Sequence, residues 1–276
     1  ASIYQIIPIG VVIPRNKEDV IATIELASKS NVAVLPRGGG TSLSGQTVGH
    51  AVVIDFSKYM NQVVEINSEE KWVRTQPGIT LDNLNAETRS YGLQFAPDPT
   101  TSSRGNIGGA LGNNSCGAHS VIFGKTVDHV IDLEVVLSNG DLVNFGSGNT
   151  PALLSNVGNG LAGRIYDSVL QIAKANKNEI EKQFPKIQRR VSGYNLEELL
   201  LGDEVNICKL LVGSEGTLAA TTEAKVRLVA LPKVKGLAVI HFNDLIESME
   251  ATVEVLKEKP SAIEMMDHLL LDMTRQ

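Results

Sequence analysis

The ten residues Pro36-Arg37-Gly38-Gly39-Gly40-Thr41-Ser42-Leu43-Ser44-Gly45 constrain this chain more than any other segment. Three consecutive glycines weaken any helix or strand interior, so they mark a sharp turn or a close approach of backbone to a ligand. The run Val32–Leu35 before them and the run Ala51–Phe56 after them are strand-like, which places the glycines in a strand-to-strand loop. Successive N–H groups in such a loop form a concave anion site. Thr41, Ser42 and Ser44 add hydroxyl donors, and Arg37 adds positive charge. Those are the groups a pyrophosphate needs; an ordinary structural turn remains an equal alternative at this point.

Two triphosphate motifs come close and fail. Gly40 to Thr47 follows the P-loop spacing, but Gln46 stands where a lysine must reach the phosphates. Gly124-Lys125-Thr126 ends a similar pattern that has His119 in place of its first glycine, and a strand-like segment follows instead of a helix. The dinucleotide fingerprint fails as well, since Leu43 sits three residues after Gly40.

The surrounding pattern predicts mixed helix and sheet. Ile9–Ile13 reads as a strand, and Asn16 caps a helix over 17–30 with Val20, Ile24 and Ala27 inward. Val63–Ile66 and Trp72–Thr75 read as strands. A helix is expected over 80–91, with Leu81, Leu84 and Tyr91 inward and Gly92 as its stop. A long irregular stretch, 96–124, precedes a hairpin of Val130–Leu137 and Leu142–Phe145 turning at Asn139-Gly140. Helix is expected over 161–183, and strands at Ile207–Val212, Thr222–Leu228 and Leu237–Phe242, the last followed by a helix to Lys257.

Composition narrows the class. With 276 residues and 42% hydrophobic content, the chain can bury a large core in one large domain or two smaller ones. A net charge of -6, with no basic run, argues against a nucleic-acid surface. Two cysteines, Cys116 and Cys208, without a CxxC pair point away from a disulfide framework or zinc ribbon and toward a reducing compartment. No stretch approaches the ~18 apolar residues of a membrane span, and no leader pattern opens the chain, so the expected location is cytoplasmic. Ala1-Ser2-Ile3-Tyr4 at one end and the apolar helical pattern Leu269–Met273 at the other are read as the ends of a fragment.

Two further Gly-rich segments make coincidence harder to sustain. One runs from Pro97-Asp98-Pro99-Thr100-Thr101-Ser102-Ser103 through Gly105-Asn106-Ile107-Gly108-Gly109 to Asn113-Asn114-Ser115-Cys116-Gly117; the other is Gly213-Ser214-Glu215-Gly216-Thr217-Leu218. Together PRGGGTSLSGQ, DPTTSSRGNIGGALGNNSCGAHSVIFGKTVDHV, RRVSGYNLEELL and GSEGTLAATTEAKVRL resemble, in order and spacing, the FAD-linked oxidases of the vanillyl-alcohol-oxidase/PCMH-type family. Within it the likeness is to the branch of D-lactate, glycolate and D-2-hydroxyglutarate dehydrogenases, and it covers about residues 8–232.

The resemblance implies an α+β fold: a PCMH-type FAD-binding domain over 1–232, in α/β subdomains of about 1–58 and 59–232. Residues 233–276 would then open an α+β substrate (cap) domain. It implies FAD at Pro36, Arg37, Gly38, Gly39, Gly40, Thr41, Ser42 and Gly45 for the pyrophosphate. Pro97, Pro99, Thr100, Thr101, Ser102, Gly105, Ile107, Gly108, Gly109, Asn113, Asn114 and Gly117 would run along the flavin and its ribityl chain. Glu215, Gly216, Leu218 and Val130 would border the adenine half. Relatives that tether FAD carry histidine at position 41 or cysteine near Ser102; with Thr41 and Ser102 here, the cofactor is expected to be non-covalent. Where relatives usually continue Leu-Gly-Ile, this chain reads Leu218-Ala219-Ala220.

The implied reaction is oxidation of a 2-hydroxy acid, with an iron–sulfur module, in the same chain or a partner, as electron acceptor, through which the protein would sit peripheral to a membrane. Its base and substrate arginines are expected beyond residue 276. A FAD-holding electron-transfer subunit and a phosphate- or nucleotide-binding module are the alternatives. His119 and His129 lie near the Gly-rich segments and are weighed as bases, whereas His50, His241 and His268 read as surface or packing residues. No metal-ligand spacing is found.

Overall fold

The computed structural model describes residues 3–146, 160–201 and 204–275. Along the chain come β1 (Gly10–Val12), α1 (Lys17–Lys29), β2 (Val34–Arg37), β3 (Val52–Asp55), β4 (Val63–Asn67), β5 (Trp72–Thr75), α2 (Leu81–Arg89) and β6 (Leu93–Gln94). Three short helices follow, α3 (Ile107–Asn113), α4 (Ser120–Phe123) and α5 (Thr126–His129), then β7 (Val130–Val136) and β8 (Leu142–Gly146). The later elements are α6 (Leu161–Ala175), α7 (Lys177–Gln183), a 3-10 turn at Leu196–Glu198, β9 (Leu200–Leu201), β10 (Glu204–Val205), α8 (Ile207–Leu211), β11 (Ala220–Arg227), β12 (Val229–Ala230), α9 (Leu245–Leu256) and α10 (His268–Met273).

Two sheets carry the architecture. β1, β3 and β2 form a parallel sheet in that order. Helix α1 crosses between its outer strands, as parallel pairing requires. Asn16 starts α1 by accepting the Asp19 N–H at 3.0 Å, and Val20, Ile24 and Ala27 are buried as the spacing predicts. The larger sheet is antiparallel, ordered β4-β5-β11-β7-β8. Its main core gathers Val73, Leu84, Phe95, Leu133 and Phe145 with Val226. A second cluster joins the sheets, packing Val20, Ile24 and Ile54 with Val136 and Ala220. The Lys17–Glu134 ion pair at 3.2 Å adds a polar tie between α1 and β7.

Several expectations need correction. Ile207–Leu211 is helix, because the Asn206 side chain accepts the Cys208 N–H at 3.0 Å and starts a turn that the apolar run had masked. Leu237–Phe242 pairs with no strand among the described residues; strand propensity without a partner makes no ladder. Tyr91 is 52% exposed, since α2 ends at Arg89 and the chain turns out through Gly92 at φ 70. The hairpin forms where expected, but only Gly140 adopts positive φ, and the turn spans Leu137 to Asp141. Helix continues through most of 161–183 with a break at Asn176. Among the described residues, nothing beyond Leu228 is fully buried.

Candidate cofactor site

A cavity of about 220 Å³ opens beyond the carboxyl end of β2, where parallel sheets commonly place ligands. Its walls come from the three Gly-rich segments, together with Pro77, Leu81 and the start of β11. Hydrogen bonds lock the segments together. Asn113 Nδ2 donates to Ser42 Oγ at 2.7 Å, Gly213 N–H to the Leu111 carbonyl at 2.8 Å, and Glu215 N–H to the Gly112 carbonyl at 2.9 Å. A Cβ on Gly216, at φ 76, would lie 3.2 Å from the Pro36 ring.

The first loop keeps its shape from within. Gly40 adopts φ 64, and the Arg37 guanidinium lies over it while reaching the Thr47 carbonyl at 3.4 Å. Among the described residues, the N–H groups of Gly38, Gly39, Thr41 and Ser42 donate to no backbone carbonyl. The loop therefore offers a run of donors beside a fixed cation, the chemistry of an oxyanion cradle.

Of the residues singled out from sequence, Pro36 through Ser42, Pro99, Thr101, Gly105, Gly108, Gly109, Asn113, Glu215 and Gly216 line the cavity. The others stand behind it. Ile107 and Val130 are core residues; Gly45 packs on the Tyr4 ring; Ser102 accepts the Asp82 N–H through its carbonyl. Pro97, Thr100 and Leu218 lie outside the wall, and a Cβ on Gly117 would collide with the Asp98 carbonyl at 2.1 Å. Asn114, fully buried at φ 48, accepts the Val127 N–H at 2.9 Å and donates to Asn195.

Asn195 is a hub that sequence reasoning missed. It accepts from Arg190 at 2.7 Å and donates to the Val212 carbonyl at 2.7 Å, so RRVSGYN holds the second and third Gly-rich segments from behind. Gln46 and Asn106 line the cavity too, each with a buried side-chain oxygen that has no partner. Isolated amides have no spacing signature, so only the burial of their oxygens could reveal them.

The histidines divide by environment. His119 pairs with the Asp98 carboxylate outside the cavity wall. His129 is buried edge-on to Phe95 with Nε2 on the Phe123 carbonyl at 2.8 Å, and burial lowers its pKa. His50, His241 and His268 are exposed. Burial pushes the Cys208 thiol up to about 12, an inert core group; Cys116 lies outside the cavity wall. No cluster of metal ligands occurs among the described residues.

The fold and site thus define an α+β protein whose three Gly-rich segments close around one cleft lined by backbone N–H groups. Residues 8–146 match the family model described as FAD binding domain, and the chain belongs to that family. It is 34% identical over its whole length to D-2-hydroxyglutarate dehydrogenase of Escherichia coli (strain K12), covering 28% of that protein. It is 32% identical over 96% of its length to glycolate oxidase subunit GlcD of Bacillus subtilis (strain 168), covering 46% of it. Among solved structures, alkyldihydroxyacetonephosphate synthase superposes with a TM-score of 0.63 over 91% of this chain and 38% of that one, at 21% identity, which shows the shared PCMH-type fold. The chain spans just over a quarter of the length of the D-2-hydroxyglutarate dehydrogenases it matches.

Proposed function

We propose that this chain holds FAD without a covalent link, as the flavin-binding part of an oxidoreductase that oxidises a small 2-hydroxy acid. The observation that carries this is the convergence of three Gly-rich segments on one cavity lined by unengaged N–H donors and two unpaired amide oxygens. That donor and acceptor set fits a cofactor combining a pyrophosphate with hydroxyl-bearing chains. When bound, FAD supplies the acceptor for the hydride leaving the hydroxy acid's α-carbon.

The chain's own residues bind and orient. Arg37 to Gly45 take the pyrophosphate, Pro97 to Asn114 follow the ribityl chain and flavin ring, and Glu215 to Leu218 border the adenine half, with Val130 supporting them from the core. Thr41 and Ser102 offer no tether. Residues 1–232 act as the FAD domain, in subdomains of about 1–58 and 59–232, and 233–276 as the opening of a substrate-covering domain. His119 outside the wall and His129 in the core leave the cavity without a histidine base among the described residues, so the chain binds FAD but turns substrate over poorly by itself. That same observation favours a second reading, a FAD-holding subunit that passes electrons to an iron–sulfur partner. The free thiols of Cys116 and Cys208 support a reducing, cytoplasmic compartment. Among the described residues no helix is long and apolar enough to cross a membrane.

Titration with FAD, followed by flavin fluorescence, tests the proposal. Saturable binding, and full release of FAD on acid precipitation, support it; a colourless protein that takes up no FAD yet binds ATP overturns it. Dye reduction by D-lactate, glycolate and D-2-hydroxyglutarate, with the chain joined to the remainder of a relative, separates enzyme from electron carrier.

A further inference from the structure

Beside the cofactor cavity lies a second cleft of about 320 Å³, walled by the turn after β3, the start of α2 and the middle of the second Gly-rich segment. The two hollows share Gly39 and Asn106 and otherwise have separate linings. Among the described residues, Arg104 is the one charged side chain of the second lining, and no carboxylate belongs to it. The Arg104 guanidinium makes no ion pair or hydrogen bond within the described protein, and neither the Ser103 hydroxyl nor the Asn83 amide has a partner there. Asp55, the acid beside the turn, is already engaged: it accepts the Ser57 N–H at 2.9 Å and the Ser57 hydroxyl at 2.6 Å. Thr80 caps α2 by accepting the Asn83 N–H at 3.3 Å, which leaves its own hydroxyl proton to donate. The Leu81 and Asp82 N–H groups go to the Gly105 and Ser102 carbonyls, so the helix lends its positive end and no free backbone donor. A concave surface that gathers a guanidinium, two hydroxyls and an amide, and holds no acid, suits a negatively charged oxygen ligand.

We propose that this second cleft binds a small oxyanion, separate from the cofactor, with Arg104 as its charge partner and Thr80, Ser103 and Asn83 as hydrogen-bond donors. The ligand chemistry is that of a phosphate or of the carboxylate of a small organic acid, both of which a guanidinium fork can hold through two oxygens. The anion occupies a hollow whose common wall with the cofactor cavity is Gly39, and it uses no group of the Arg37 loop. The inference stands on this lining alone and does not depend on the FAD reading.

Calorimetric titration at low salt tests it, with phosphate and, separately, with succinate, on the chain first saturated with FAD so that the Arg37 loop is filled. At least one of the two anions should bind with a stoichiometry of one. Arg104→Gln should weaken that binding roughly tenfold or more, the loss of a charge-assisted contact. Binding of phosphate alone marks a phosphoryl ligand, and binding of succinate alone a carboxylate one. Arg104 is exposed, so its replacement should leave the melting temperature unchanged. Ser103→Ala gives a second, smaller loss of roughly fivefold, that of one neutral hydrogen bond. The inference is overturned if neither anion binds the FAD-saturated chain, or if Arg104→Gln binds as wild type does. A chain that takes up no FAD removes the flavin reading alone. Arg37→Gln, which lacks the loop's own cation, then carries the same titration, and anion binding should persist in it and be lost when Arg104→Gln is added.

Discussion

Gly39 and Gly109 both line the same cavity, yet their surroundings differ. A Cβ on Gly39 would sit 2.0 Å from the Arg104 carbonyl, so that glycine lets two protein segments meet. A Cβ on Gly109 would meet nothing within 4 Å, so that glycine leaves space. Two other glycines of the motif behave like Gly39: Gly117 is crowded by the Asp98 carbonyl and Gly108 by Pro77. A Gly-rich motif is thus first a device for assembling a wall, and only at a few positions a device for admitting a ligand.

The widest separation comes from the crowded class. Gly39→Ala and Gly117→Ala should each destabilise by about 3 kcal/mol, the upper part of the overpacking range, read as a lower melting temperature. A Gly39→Ala protein that melts normally yet binds no FAD would erase the distinction. Asn195→Ala, which strips partners from the buried Arg190 and Asn114, should cost about 2–3 kcal/mol and weaken FAD only through the loosened walls. Gly109→Ala should do the reverse: melting unchanged or raised by about 0.5–1 kcal/mol of helix propensity, with FAD affinity reduced. Loss of fold in that variant would place Gly109 in the crowded class.

The smallest effect concerns acid. Burial lowers the pKa of His129 below its ordinary value, so the fold holds it neutral and the unfolded chain takes up the proton first. The stability from this group is whole above the unfolded value near ~6.5 and is lost as pH falls through it toward the folded value. His129→Gln should flatten the fall in melting temperature between pH 7 and 5. Because His129 bridges α5 to the end of α4, acid should loosen the second Gly-rich segment before the first.

What could be read from sequence follows the range of the interactions. Asn16, the α1 stripe and the Asn139-Gly140 hairpin are local devices, and they appear where their patterns put them. Helix α3 was hidden inside Ile107–Asn113 because its glycines and asparagines are poor helix formers; it is held by Asn113 to Ser42 and by Leu111 and Gly112 to the third segment. The apolar run at Ile207 showed no period, so only its Asn206 cap distinguished helix from strand. In the site, the loop between β2 and β3 was legible from its glycines as a turn, whereas Asn106, Asn195 and Gln46 depend on which backbone lies opposite them, information that spacing does not carry.

Strand β11 lies between β5 and β7 in the large sheet, although more than eighty residues separate it in sequence from either neighbour's start. During synthesis the chain would expose both strands as open edges until residue 227 had emerged. Two sheet seams and the third wall of the cavity then close together over long sequence separations, and the expected outcome is slow refolding, checked by stopped-flow kinetics. The cleft between the three Gly-rich segments closes only when Thr221, the most distant residue of its lining in sequence, is in place.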